Sequence, residues 1–180
     1  MNNNQLHIKV SQFELKTNRL LLRKISIADL DNLHVLRYHP EVVKYIQREL
    51  VIDKKKIKSY ISDRLNDIDS GKIYYWAISK LENPKLIGTI CLWNFNDSKT
   101  IAEIGYELHP EYHGQGIMSE AIETVLNFGF LELNLKTIEA LTSKHNESSK
   151  TLLNKFDFKL EPNRKDEGFP NNIIYTKQHA

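Results

Sequence analysis

Cysteine is almost absent from this 180-residue chain: Cys91 stands alone. No internal disulfide and no cysteine-based zinc cluster can form. Cys91 sits in an alternating apolar run, which reads as a buried structural thiol rather than a nucleophile. Long hydrophobic runs are missing as well. No apolar stretch approaches the roughly 18 residues of a membrane-spanning helix. The opening Met1-Asn2-Asn3-Asn4-Gln5 lacks a basic-then-apolar leader pattern. Excess charge is missing too. The 25 basic and 23 acidic side chains leave a formal net charge of +2, too little to point to nucleic acid or a membrane surface. There is no internal repeat and no long linker. With 41% hydrophobic residues, the chain has enough material for a core. The expectation from these limits is a soluble, cytoplasmic protein with a single domain over residues 1–180.

The pattern of elements is mixed. Residues 20–25 read as a strand. Ser26 then caps a helix, with Asp29 at the capping-box position and Leu30, Leu33 and Leu36 along one face. Pro40 suits the first turn of a short helix. Residues 53–70 form a third helix, stopped by Gly71. Three strands follow, over 73–79, 86–95 and 100–108, turned by Asn83-Pro84 and by Asn96-Asp97-Ser98. Such short connections make antiparallel neighbours. Met118, Ala121, Ile122, Val125 and Leu126 then give a helical stripe. A strand over 137–141, a helix over 146–156 and a hairpin from Phe158 to residues 173–175 complete the chain. The expected fold is mixed α/β (α+β): a central, mostly antiparallel twisted sheet of about six to seven strands, with helices on both faces.

One stretch carries chemistry. A strand ends at Leu108-His109-Pro110, passes Gly114 and Gly116, and opens into the 117–126 helix. Glycines permit unusual backbone angles and close approach of an anion. Unpaired N–H groups at the helix start point at it, and the dipole favours its charge. The stretch lacks the third glycine of a dinucleotide fingerprint and the Gly-Lys-Ser/Thr of a nucleotide P-loop. A plain glycine turn is the alternative. The second informative stretch is Asn146-Glu147-Ser148-Ser149-Lys150-Thr151-Leu152-Leu153-Asn154-Lys155-Phe156-Asp157-Phe158, a helix start with Asn146 as N-cap.

Together these stretches resemble the GNAT superfamily of acyl-CoA-dependent N-acetyltransferases, and within it the ribosomal-protein (Rim-type) N-terminal acetyltransferases. The likeness spans residues 15–175. It rests on Leu20-Leu21-Leu22-Arg23, Ala102-Glu103-Ile104-Gly105-Tyr106, Tyr112-His113-Gly114-Gln115-Gly116, and Asn146, Ser149, Leu152, Leu153 and Lys155 in their spacing. The resemblance implies acetyl-CoA as cosubstrate and no metal. It implies a coenzyme site built from Glu107, Leu108, His109, His113, Gly114, Gln115, Gly116, Ile117, Met118, Ser119, Asn146, Ser149, Leu152 and Lys155. Backbone N–H groups of residues 115–119 would hold the pyrophosphate. Glu107, Leu108 and His109 would pair with the pantetheine arm, and Asn146 would bond its amides. Two residues depart from the pattern. Met118 replaces a small residue, and Asp157 replaces a glycine, although Asp tolerates left-handed angles.

Acetyl transfer needs a neutral amine, and free amines are largely protonated at neutral pH. Glu103 is the candidate base; it shares a strand face with Glu107. A surface role is its alternative. Leu153 stands where many superfamily members carry a tyrosine acid, so Ser149 is the candidate donor to the departing thiolate; a plain helix-start role is its alternative. His109 and His113 read as loop geometry, and their spacing fits no metal site. The expected reaction is direct transfer in a ternary complex to a primary amine, with the N-terminal α-amine of a protein such as a ribosomal protein as first acceptor. A polyamine, an antibiotic or a non-catalytic acyl-CoA-binding module are the rivals. Residues of the first helices, about 38–48, and of the strand ends would meet the acceptor. Oligomeric state, a homodimer included, is left open.

Overall fold

A computed structural model describes residues 13–46 and 53–179. The opening residues 1–5 and Arg48, both read above, lie outside them. The strands are β1 (Leu15–Lys16), β2 (Leu20–Lys24), β3 (Tyr74–Lys80), β4 (Asn83–Trp93), β5 (Ile101–Leu108), β6 (Thr137–Ser143), β7 (Lys159–Leu160) and β8 (Asn172–Gln178). The helices are α1 (Leu30–Tyr38), α2 (Pro40–Val43), α3 (Lys54–Asp69), α4 (Ile117–Asn127) and α5 (Glu147–Lys155). The eight strands of the described residues form one sheet in the order β1-β2-β3-β4-β5-β6-β8-β7. The two-residue edge strands β1 and β7 carry the count past the expected number; neither is long enough to show a period.

Alternation along β3 sorts the core into two layers. Trp76 and Ile78 face one side with Leu20, Leu22, Ile90 and Leu92, and α4 covers them with Ala121, Ile122 and Val125. Tyr75 and Ala77 face the other, where α1 and α3 bring Leu33, Leu36, Ile57 and Ile61. Asp53 caps α3 by accepting from the Lys55 N–H at 2.8 Å, and Gly71 ends it at φ +67°. Asn83-Pro84 is not the turn: β4 already begins at Asn83. A register shift between Ile78 and Lys80 lets Pro84, which has no N–H to give a ladder, sit near the strand end.

One pairing decides where ligands can enter. β3, β4 and β5 are an antiparallel meander. The β5–α4–β6 crossover makes β5 and β6 parallel. Their register covers only Ile101↔Thr137, Ala102↔Ile138 and Glu103↔Glu139. Beyond it the strands part, while β6 stays paired with β8 as far as Ser143↔Asn172.

Candidate active site

The parting of β5 and β6 opens a cavity of about 1190 Å³, walled by residues 103–108 of β5, 140–143 of β6, residues 112–114 and 116–119 of the loop and helix start, and α5. The register with β4 tells which backbone groups of β5 face it. The His109 N–H bonds the Ile87 carbonyl at 2.9 Å. Stepping by two, Thr89↔Glu107, Cys91↔Gly105 and Trp93↔Glu103 are the hydrogen-bonded pairs. The backbone groups of Ile104, Tyr106 and Leu108 therefore point to the opening, beyond the last residue that β6 pairs. Glu107 and His109 were expected to pair with a pantetheine arm. The Glu107 backbone groups and the His109 N–H are spent on β4, and the His109 carbonyl accepts from the Tyr112 N–H at 2.9 Å; the groups that face the opening here are those of Tyr106 and Leu108. The Leu108 carbonyl already bonds His113 Nε2 at 3.0 Å, so Leu108 keeps its N–H.

Beyond the strand, the loop turns on two left-handed glycines, Gly114 at φ +72° and Gly116 at φ +73°. Gly116 is the N-cap of α4 and has no side chain with which to close it. The first N–H groups of α4 are left free for an anion. Arg19 braces this loop from outside the cavity. Its guanidinium donates to the Gln115 carbonyl at 3.1 Å and to Glu120 at 2.6 Å. Thr17 also donates to Glu120, whose carboxyl these bonds hold below its usual range against the opposing effect of burial. In a trans peptide the carbonyl and the next N–H point opposite ways. Fixing the Gln115 carbonyl outward therefore aims the Gly116 N–H inward. The Gln115 side chain also turns away, donating to the Glu111 carbonyl at 2.7 Å. Met118 packs into the main core and also lines the cavity.

Of the expected site residues, Glu103, Glu107, Leu108, His113, Gly114, Gly116, Ile117, Met118, Ser119, Asn146, Ser149, Leu152 and Lys155 line this cavity. His109 and Gln115 do not. The His109 ring instead accepts from the Glu111 N–H at 3.4 Å and meets the His39 ring edge-on at 5.2 Å. His39-Pro40 and His109-Pro110 are thus twin capped turns. Desolvation, foremost, holds the His109 imidazole below its ordinary pKa.

Glu103 stands at the fork where β5 and β6 part. Its carboxylate accepts from the Asn94 amide at 2.5 Å. Partial burial holds the carboxyl above the usual range; the Asn94 bond opposes this, and the Glu139 and Asp166 charges add to it. Arg164, the neighbouring cation, is engaged by both Glu139 oxygens at 2.5 and 2.9 Å. A carboxylate of raised proton affinity beside a cavity is a suitable general base. Cys91 is outside the wall, and desolvation pushes its thiol up to about 12, far from a nucleophilic thiolate.

Asn146 caps α5, its Oδ1 accepting from the Ser149 N–H at 3.1 Å. Asn146 also lines the cavity. Asp157 takes φ +58° at the end of α5. There Phe158 N–H bonds the Leu153 carbonyl and Asp157 N–H the Asn154 carbonyl, a Schellman closure. Glu41, Val42, Lys44, Tyr45 and Ile46 of the expected acceptor segment also line the cavity; Tyr38 instead stacks on His34. Sequence reasoning missed Trp93, Asn94, Asp166, Phe169 and Asn172, which join the wall from loops and strand ends without a motif.

The comparisons agree with this architecture. Residues 19–159 match the acetyltransferase (GNAT) domain family. The chain belongs to that family and is an acetyltransferase. A relative from Bacillus licheniformis, the uncharacterized N-acetyltransferase p20, is 36% identical over 149 residues, covering 82% of this chain and 83% of its own. The ribosomal-protein-S5-alanine acetyltransferase of Vibrio fischeri superposes with a TM-score of 0.79 at 20% identity, over 92% of this chain and 96% of its own. RimL, the ribosomal L7/L12 α-N-protein acetyltransferase solved with coenzyme A, gives 0.77 at 16% identity, over 90% of this chain and 95% of its own. These two share the fold. Among the described residues, no helix is long and apolar enough to cross a membrane.

Proposed function

We propose that this protein transfers the acetyl group of acetyl-CoA to a primary amine by direct attack within a ternary complex. The observation that carries the reading is the joining of three features in one cavity: an unpaired strand edge, a left-handed glycine loop opening a helix, and a carboxylate of raised proton affinity. The residues fit the coenzyme. The N–H groups at Gly116 and the first turn of α4 hold the pyrophosphate. Tyr106 and Leu108 offer backbone groups to the pantetheine arm, and the Asn146 NH₂ donates to one of its carbonyls. Acetyl-CoA supplies the acetyl group as a thioester, whose sulfur leaves with the C–S electron pair as the amine nitrogen takes the acetyl carbon. Glu103, directly or through a water, takes the amine proton.

The acceptor that fits Glu103 best is an α-amine, as at the N-terminus of a ribosomal or other protein. An α-amine has a pKa of about 7.7–8.0 against about 10.4 for an alkylamine. A carboxylate base faces a far smaller uphill step with the former. The acidic groups Glu103, Glu139 and Asp166 near the fork favour a second reading, a small cationic amine such as a polyamine. Coenzyme A release measured with a panel of N-terminal peptides and polyamines separates the two. Preferential turnover of peptides supports the first reading, and turnover of polyamines alone replaces it with the second. Tight binding without turnover on any acceptor makes the protein an acyl-CoA-binding module.

A further inference from the structure

The contact between Tyr106 and Ser149 has no place in the roles above. Their hydroxyl oxygens are 2.8 Å apart, joining β5 to α5 across the opening, and both residues line the cavity. Ser149 is not needed to close its own helix, because Asn146 already caps the Ser149 N–H. One turn further on, Leu153 is buried in the main core, so no hydroxyl reaches the cavity from there. Among the described residues, Tyr106 is the hydrogen-bond partner of Ser149 Oγ.

Two touching hydroxyls carry two protons. One lies between the oxygens and one is free. A phenol is the stronger acid and an aliphatic hydroxyl the better acceptor, so Tyr106 donates and Ser149 accepts. The free proton is then that of Ser149, and a donor that is itself accepting a hydrogen bond is a stronger donor. Resting on the acetyl-CoA reading, we propose that Tyr106 is a positioning residue that fixes the Ser149 hydroxyl with its proton toward the coenzyme sulfur. Full proton transfer is not required. The N–C bond forms as the C–S bond breaks, and the C–S electron pair stays on sulfur. The amine proton goes to Glu103 or its water, and Ser149 stabilises the thiolate by a hydrogen bond. Desolvation pushes the Tyr106 phenol up to about 12, so it stays protonated and donating across the working range. A tyrosine absent from position 153 is thereby replaced by a pair built from a strand and a helix.

The test needs no acceptor. Coenzyme A bound to the protein is titrated with pH, and its thiolate is followed by ultraviolet absorbance against protein loaded with acetyl-CoA, which has no thiol. Calorimetric titration with coenzyme A runs in parallel. In the parent the bound thiol ionises at lower pH than free coenzyme A. Ser149→Ala lowers the thiolate fraction at a fixed pH by about tenfold, the size of one hydrogen bond to a charged group. Tyr106→Phe lowers it by about threefold and has no further effect in the Ser149→Ala background. Ser149→Thr, which keeps the hydroxyl, retains most of the shift. A parent-like titration in Tyr106→Phe, or the same loss in both backgrounds, overturns the pairing while coenzyme binding stands. Failure of the parent to bind coenzyme A overturns the acetyl-CoA reading and this inference with it.

Discussion

Arg19 is the most informative residue to remove, because nothing about it touches the cavity. Arg19→Ala deletes the guanidinium contacts to the Gln115 carbonyl at 3.1 Å and to Glu120 at 2.6 Å. The Arg19 N–H bond to Glu120, 3.0 Å, survives because it is backbone. The Arg19 side chain is 53% exposed, so the ion pair contributes about 1 kcal/mol or less to stability. A chain of this size then melts only about 2–4 °C lower. The effect on binding is larger in proportion. Releasing the Gln115 carbonyl unfixes the Gly116 N–H, and a hydrogen bond to a charged group is worth about 1.5–3 kcal/mol. Losing its preset direction costs a part of that, and coenzyme A affinity falls about five- to tenfold. Arg19→Lys keeps the charge but not the forked geometry, so its affinity is intermediate. Calorimetric titration with coenzyme A and with dephospho-coenzyme A makes the comparison. Equal losses for both ligands show an effect through the backbone. Unchanged affinity in Arg19→Ala refutes the brace, and a loss confined to coenzyme A shows that Arg19 instead touches the 3′-phosphate.

Gly116→Val weakens coenzyme A binding by about tenfold or more through backbone strain at φ +73°, since left-handed angles cost an L-residue about 1–2 kcal/mol. An added Cβ there meets only Arg19, at an ordinary 3.5 Å. Gln115→Ala stays within about 0.5 kcal/mol of the parent in the same titration. Glu103→Gln lowers turnover by about 10²–10⁴-fold at neutral pH with acetyl-CoA affinity kept. Because partial burial raises the Glu103 carboxyl, the parent loses its base as pH falls through a value above the usual carboxylate range. The deficit of Glu103→Gln relative to the parent shrinks as pH rises and the amine deprotonates unaided; a pH–rate profile reads both. Asp157→Gly relieves a left-handed aspartate and raises stability by up to about 1 kcal/mol, seen as a higher melting temperature.

What was legible in the sequence was local. The stripe on α4, the glycines at 114 and 116, the Asn146 cap and the left-handed tolerance of Asp157 all depend on residues within a turn or two. The parity of β5 was not legible. Motif position points to Glu107 and His109 as backbone partners, but only the register with β4 shows that the Glu107 backbone groups and the His109 N–H are taken. The Tyr106–Ser149 contact spans 43 residues and the Arg19–Gln115 contact 96, and no spacing rule reaches that far. Position 19 precedes β2 with no pattern of its own. Asn94, Asp166 and Phe169 reach the cavity from connections whose course depends on the completed sheet.

The proposed coenzyme site runs along one edge of β5 to the start of α4, and backbone amide protection tests that placement directly. Hydrogen exchange is followed by NMR, amide by amide, with and without acetyl-CoA. The predicted result is new protection at Tyr106, Leu108, Gly116, Ile117, Met118 and Ser119, with Glu107 and His109 already protected and unchanged. Acetyl-CoA binding that leaves Tyr106, Leu108 and the start of α4 as they were in the free protein would contradict it.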